Sequence, residues 1–100
     1  MEDDDALLAR FEKFDDDFLH FEAVSEPNHL HARSDICAFL LLDRIVPGNG
    51  RMVEAAEHDV IFLGVEPASL DANATDDEIR DLRRCGVVYS SEDEGLIMFR

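Results

Sequence analysis

The sequence predicts an α+β domain: two N-terminal helices, then a β-α-β-β region whose small, mostly antiparallel sheet packs against helices. Three observations predict it. Apolar residues recur at helical spacing through the first two dozen positions, and a dense apolar segment follows a polar loop. The last forty residues alternate short branched apolar runs with one well-marked helix. One hundred residues suffice for a single domain, 1–100, with one hydrophobic core and no need of disulfides or metal.

The first element is an acidic amphipathic helix, read over residues 3–23 within an acidic segment 1–24. Leu7, Phe11, Phe14, Phe18 and Phe21 follow one another at steps of four, three, four and three. At the helical repeat they fall within an arc of roughly 80°. Glu12 and Asp16 then lie opposite that stripe, with Asp15 and Asp17 on its shoulders. Asp3, Asp4 and Asp5 suit the positive N-terminal end. The triplet Asp15–Asp17 opposes the reading, because aspartate is a poor helix former and three in a row repel one another. A break near Asp15, with that residue capping a second helix, is the alternative.

Residues 25–34 (SEPNHLHARS) read as a loop. Ser34 is a suitable N-cap and Asp35 a suitable first-turn residue for DICAFLLLDRIV, a helix over 34–46 that is apolar nearly all round and so is expected at the centre of the core. Pro47 and the glycines after it end it. Residues 51–59 (RMVEAAEHD) carry no decisive pattern. VIFLGVE (60–66) is a branched apolar run of strand length. The stretch 67–74 is a connection with room for one helical turn. Thr75 and Glu78 form a capping box, acids fill the first turn of the helix they open, and Arg80, Arg83 and Arg84 follow toward its end. Gly86 is the C-cap. GVVYSSEDEGLIMFR then forms a hairpin around SSEDEG.

Charge bounds the function. The formal net charge is −15, with one lysine against eight arginines. Residues 1–26 and 52–100 each carry −8, and the apolar middle carries +1. Such a chain repels phosphate, so direct contact with nucleic acid or anionic lipid is disfavoured; basic proteins and cations are favoured. No apolar run is long enough for a bilayer, and the acidic start has the wrong sign for a targeting peptide, so a cytoplasmic location is expected.

Motifs for chemistry are sparse. Cys37 and Cys85 are far apart with no CxxC, and buried free thiols are the expected reading. His29 and His31 form an H-x-H pair without a third ligand at a diagnostic spacing, so no metal is expected. Asp17/His20 and Glu26/His29 each resemble half of a carboxylate-bridged dimetal motif, but Pro27 puts the second in a loop. His58–Asp59 would face opposite ways on a strand, and no serine sits in a nucleophile pattern. No P-loop, dinucleotide fingerprint or HExxH is present, and no cofactor is implied. RDLRR (80–84) reads as a solvated helix end.

From about residue 31 onward the chain resembles small, uncharacterised proteins encoded by phages and prophages. The segments that carry the resemblance are HARSDICAFLLLDRIVPG (31–48), AEHDVIFLGVE (56–66) and TDDEIRDLRRCGVVYSSEDEGLIMF (75–99). It implies an accessory product of a mobile element in a bacterial cytoplasm, with no site residue to carry over.

These readings converge on a non-enzymatic protein that acts through protein–protein contact. In its sharpest form, Asp3, Asp4, Asp5, Glu12, Asp15, Asp16 and Asp17 imitate nucleic-acid phosphates toward a basic DNA- or RNA-binding host protein. Asp76, Asp77, Asp81, Glu92, Asp93 and Glu94 are a second such set. In the alternative, acidity serves only solubility, and an apolar patch makes the interface of a homodimer or other oligomer. A metal-dependent enzyme using His, Asp and Glu ranks third.

Overall fold

Eight elements alternate in pairs in the computed structural model, which describes residues 2–47, 52–57, 60–90 and 95–99. The helices are α1 (Glu2–Glu12), α2 (Ser34–Ile45), α3 (Pro67–Asn73) and α4 (Asp76–Arg84). The strands are β1 (Val53–Glu57), β2 (Val60–Leu63), β3 (Val87–Ser90) and β4 (Gly95–Phe99). The fold is α+β, with every neighbouring strand pair antiparallel in the order β1-β2-β4-β3. β4, the latest strand in the chain, therefore lies inside the sheet. β2 and β3 run parallel to each other on its two sides, connected through α3 and α4. The glycine turn at 48–50, His58–Asp59 and Ser91–Glu94 lie outside the described residues.

The expected single helix over 3–23 does not form. α1 stops at Glu12, and three 3₁₀ turns follow at Asp15–Asp17, Phe21–Ala23 and Glu26–Asn28. Phe14, at φ −114° and ψ 32°, has already left helical geometry, so the break lies just before Asp15, which makes no side-chain cap. The cause is long-range: Asp15 and Asp17 each pair with an arginine of α4, which a straight helix over poor helix formers would not allow. Phe11, Phe14 and Phe21 still turn inward, whereas Phe18 lies outside the core cluster. Leu7 and Phe11 are fully buried, Phe14 and Phe21 pack on the core, and Phe18 meets Phe99 edge-on at 5.6 Å. Leu19 closes the segment at φ 61°, its N–H donating to the Arg83 carbonyl at 3.2 Å.

Two further expectations are corrected locally. Ser34 is the first residue of α2 rather than its cap, and Arg33 occupies the cap position without a side-chain bond. α2 buries one face (Cys37, Ala38, Leu41, Leu42, Ile45) and leaves Leu40 exposed, so it is one-sided rather than enclosed. β1 comes from the undecided stretch: VEAAE is weak in strand-forming residues and becomes a strand by pairing with β2.

α4 forms as read. Thr75 Oγ1 accepts the Glu78 N–H at 3.2 Å, and Glu78 Oε1 accepts the Thr75 N–H at 2.8 Å. Gly86 follows at φ 100°, where a side chain is both strained and obstructed, because a Cβ would lie 2.7 Å from the Phe99 carbonyl oxygen. The helices and one sheet face share the main core. Ile61, Leu63, Val87, Tyr89, Leu96 and Met98 point into it, as the period of two requires.

Candidate functional site

The proposed phosphate-mimicking acids do not form one free array. Asp3, Asp4 and Asp5 lie in the first turns of α1, and Glu12, its last residue, is exposed. Asp15 is paired with Arg83, and Asp17 Oδ1 accepts from Arg84 Nε and Nη2, both at 2.9 Å. Asp16 is exposed, and neither it nor Glu12 makes an ion pair among the described residues. In the second set, Asp76 is held by Arg10 and Lys13, with the Lys13 bond foremost in keeping its carboxyl below the usual value. Asp77 lies 3.5 Å from Arg80. Asp81 is fully buried and cannot be displayed at all. Glu92, Asp93 and Glu94 lie outside the described residues.

The arginines read as a solvated helix end are clamps. Side-chain exposure is 14% for Arg83 and 16% for Arg84. Arg84 also donates to the Ala23 carbonyl at 2.6 Å and to Asp81 at 3.2 Å, so it fastens the 3₁₀ segment to α4. Arg10 does the same for α1, donating to the Asp71 carboxylate at 2.8 Å and to the Ala74 carbonyl at 2.6 Å.

Asp81 is the centre of a buried polar cluster that sequence reasoning missed. Its Oδ2 accepts from Ser25 Oγ at 2.5 Å and from Asn28 Nδ2 at 2.7 Å; its Oδ1 accepts from the Ser25 N–H at 3.3 Å and from Arg84. Arg44 extends the cluster, donating to Asn28 Oδ1, the Pro27 carbonyl and Glu78. Burial pushes the Asp81 carboxyl upward. The bonds from Ser25 and Asn28 and the nearby Arg80 charge outweigh that and hold it below its usual value. With four donors on two oxygens, its acceptor capacity is filled. The only sequence signal was its place four residues before Cys85, on the inward shoulder of α4.

The two cysteines meet. Both thiols are free and fully buried, Cys37 Sγ donating to the Asn28 carbonyl at 3.3 Å. Burial, the hydrogen-bonded neighbour Cys37 and the Asp81 charge push the Cys85 thiol far up, which makes it a poor nucleophile. The histidines gather no metal ligands: His29 rests on the Phe21 ring at 4.6 Å, and His31 Nδ1 accepts the Arg33 N–H at 3.0 Å. Among the described residues no group of three His, Cys, Asp or Glu side chains can hold a metal, and no helix is long and apolar enough to cross a membrane.

One surface differs from the rest. On the sheet face turned away from the core, Phe62, Ile97 and Val88 form a row across β2, β4 and β3, and Val60 and Phe99 form the next row. Ile97 is buried yet stands apart from the main core cluster. The described side chains of this face carry no charge, and only β1 brings an acid, Glu57, into register opposite Val60. A chain of which one third is charged thus keeps β2, β3 and β4 free of charged side chains on both faces. No family model, curated protein or solved structure matches the chain.

Proposed function

We propose that this chain is a non-enzymatic protein-interaction module that makes contact through the outer face of its sheet, while its acidity supplies solubility and keeps it off nucleic acid and anionic membrane. The observation that carries this reading is the uncharged row Phe62–Ile97–Val88 on a chain of net charge −15. Phe62 and Val88 are half-buried about a buried Ile97, and apolar surface that keeps part of its area open among polar surroundings is the kind that serves as an interaction site. The saturated Asp81 carboxylate and the buried thiols support a structural rather than a chemical role for the titratable interior. An accessory protein of phage or prophage type, working in the cytoplasm, fits the resemblance of residues 31–99 and the acidic surface.

The phosphate-mimic version loses support at its centre, since Asp15 and Asp17 already have arginine partners within the chain. It retains Glu12, Asp16 and the Asp3–Asp5 turn. Salt separates the two. Binding through an apolar face holds or strengthens as salt rises from roughly 0.05 to roughly 1 M, whereas carboxylate mimicry collapses with screening. Affinity capture with the unaltered chain and with Val88→Glu, at both salts, is the test. Partners lost at high salt yet indifferent to Val88→Glu would overturn the sheet-face reading.

A further inference from the structure

We propose that Cys37 and Cys85 are a modification site, oxidised by a small soluble disulfide such as glutathione disulfide to one internal disulfide that fastens α2 to the end of α4. Cys37 belongs to α2 and Cys85 caps the C-terminus of α4, yet the two thiols lie within hydrogen-bonding reach of each other. Both side chains are fully buried, and no third metal ligand joins them among the described residues. Two thiols in contact gain little as thiols, because S–H is a weak donor and sulfur a weak acceptor. Contact does give them what a disulfide needs, two sulfurs already brought together by the fold.

Structural while covered, the thiols become reactive when the cover lifts. In the closed chain, burial and the Asp81 charge keep the Cys85 proton in place, and only a thiolate attacks a disulfide. The part of the cover that can lift is the short strap Ser25–Asn28, whose middle residues Glu26 and Pro27 are exposed. Its Asn28 carbonyl accepts from Cys37 Sγ at 3.3 Å. The Ser25 and Asn28 side chains tie the strap to Asp81 of α4, and Arg44 of α2 holds it at the Pro27 carbonyl and Asn28 Oδ1. Asp81 in turn accepts the Cys85 N–H on its own carbonyl at 3.0 Å. The polar cluster is therefore a latch beside the thiols. A short segment held by side-chain bonds, without a ladder of its own, opens before helices and sheet separate.

With the strap lifted, the first thiol loses its proton to water and attacks one sulfur of glutathione disulfide. A mixed disulfide forms, and one glutathione leaves as its thiolate. The second thiol, deprotonated in the same way, attacks the protein sulfur of that mixed disulfide and expels the second glutathione. The chain gives up two hydrogens, as two electrons and two protons, and the reagent is reduced to two thiols.

The test incubates the full, reduced chain with glutathione disulfide under native conditions, quenches in acid, and reads intact mass and peptide map. The expected product is lighter by two hydrogens, carries a Cys37–Cys85 cross-linked peptide, and accumulates over roughly hours rather than seconds. Its urea midpoint should lie about 1 M above that of the reduced chain, because the closed loop restrains the unfolded state. Asn28→Ala, which unlatches the strap, should speed the oxidation about tenfold. Leu40→Glu, on the exposed side of α2, should leave the rate unchanged. Should Asn28→Ala fail to fold, the unaltered chain decides in urea below its unfolding transition. A rate that rises with urea less steeply than global unfolding supports opening of the strap, and an equal slope overturns it. Glutathione adducts without the internal disulfide, disulfide-linked dimers, or no oxidation under conditions that oxidise the denatured chain each overturn the inference. So does an oxidised form less stable than the reduced one, or a folded Asn28→Ala chain that oxidises no faster.

Discussion

Asn28 donates a hydrogen bond to the fully buried carboxylate of Asp81 at 2.7 Å, across 53 residues of chain, and so joins the irregular segment before α2 to the middle of α4. Ser25 and Arg84 complete the same carboxylate. Removing it with Asp81→Ala leaves four donors from three residues facing an empty buried site. The expected loss is about 3 kcal/mol in urea unfolding, at the scale of breaking a buried charged network. A loss under about 0.5 kcal/mol, the size of an ordinary surface change, would show that the cluster is dispensable.

Acid should reveal the same group. Its carboxyl titrates below the usual value in the folded chain, so its contribution is fully present above the unfolded value near 4 and is lost as pH falls through the folded one. Thermal unfolding followed from pH 7 downward should therefore stay nearly flat until about pH 4 and then fall. Asp81→Asn should start lower and fall less steeply in that acid limb. Parallel curves for the two proteins would assign the acid sensitivity elsewhere.

Gly86 offers a purely backbone test. At φ 100°, with the Phe99 carbonyl oxygen 2.7 Å from the position of an added Cβ, Gly86→Ala must strain the turn and push β4 away. A destabilisation of about 2 kcal/mol or more is expected, against the small stabilisation that the same change brings where φ is negative.

The two clamping arginines should differ in weight. Arg84 reaches Asp17, whose side chain is 27% exposed, together with the Ala23 carbonyl and buried Asp81; Arg83 pairs with Asp15, which is 62% exposed. Arg84→Ala should cost about 2 kcal/mol and Arg83→Ala about 1 kcal/mol or less. Hydrogen exchange over residues 15–28 should rise sharply for the first and little for the second.

Thiol labelling reads the core directly. Neither Cys37 nor Cys85 should react with an aromatic disulfide reagent in the native chain, and both should react at once in denaturant. Rapid native labelling of either would contradict the burial of the α2–α4 contact.

What was legible in the sequence was whatever depends on neighbours along the chain. The Thr75–Glu78 box, the acid-to-base gradient of α4 and the turn at Gly86 are all satisfied within a few residues, and each was readable. α1 was misjudged at its far end because the partners of Asp15 and Asp17 sit on α4, and no local rule announces Arg83 and Arg84. β1 was undecided for the same reason, since VEAAE becomes extended only beside β2. The site suffered most. Asp81 was counted as surface charge because its donors Ser25 and Asn28 are remote, and the adjacency of the two cysteines is likewise tertiary. Which apolar residues share the outer sheet face is not legible in the sequence, because sharing a face across β2, β4 and β3 requires their register.

The strand order also constrains how the chain can be made. β2 and β3 do not bond to each other but meet only through β4, and β4 is the last of the four to leave the ribosome. Until it does, β2 can hold β1 as a hairpin while β3 waits without a ladder, its apolar residues open to whatever is nearby. Sheet formation is thus deferred until β4 has been made, and a chain interrupted before Gly95 keeps its helices' sequence yet lacks the strand that unites the two halves of the sheet.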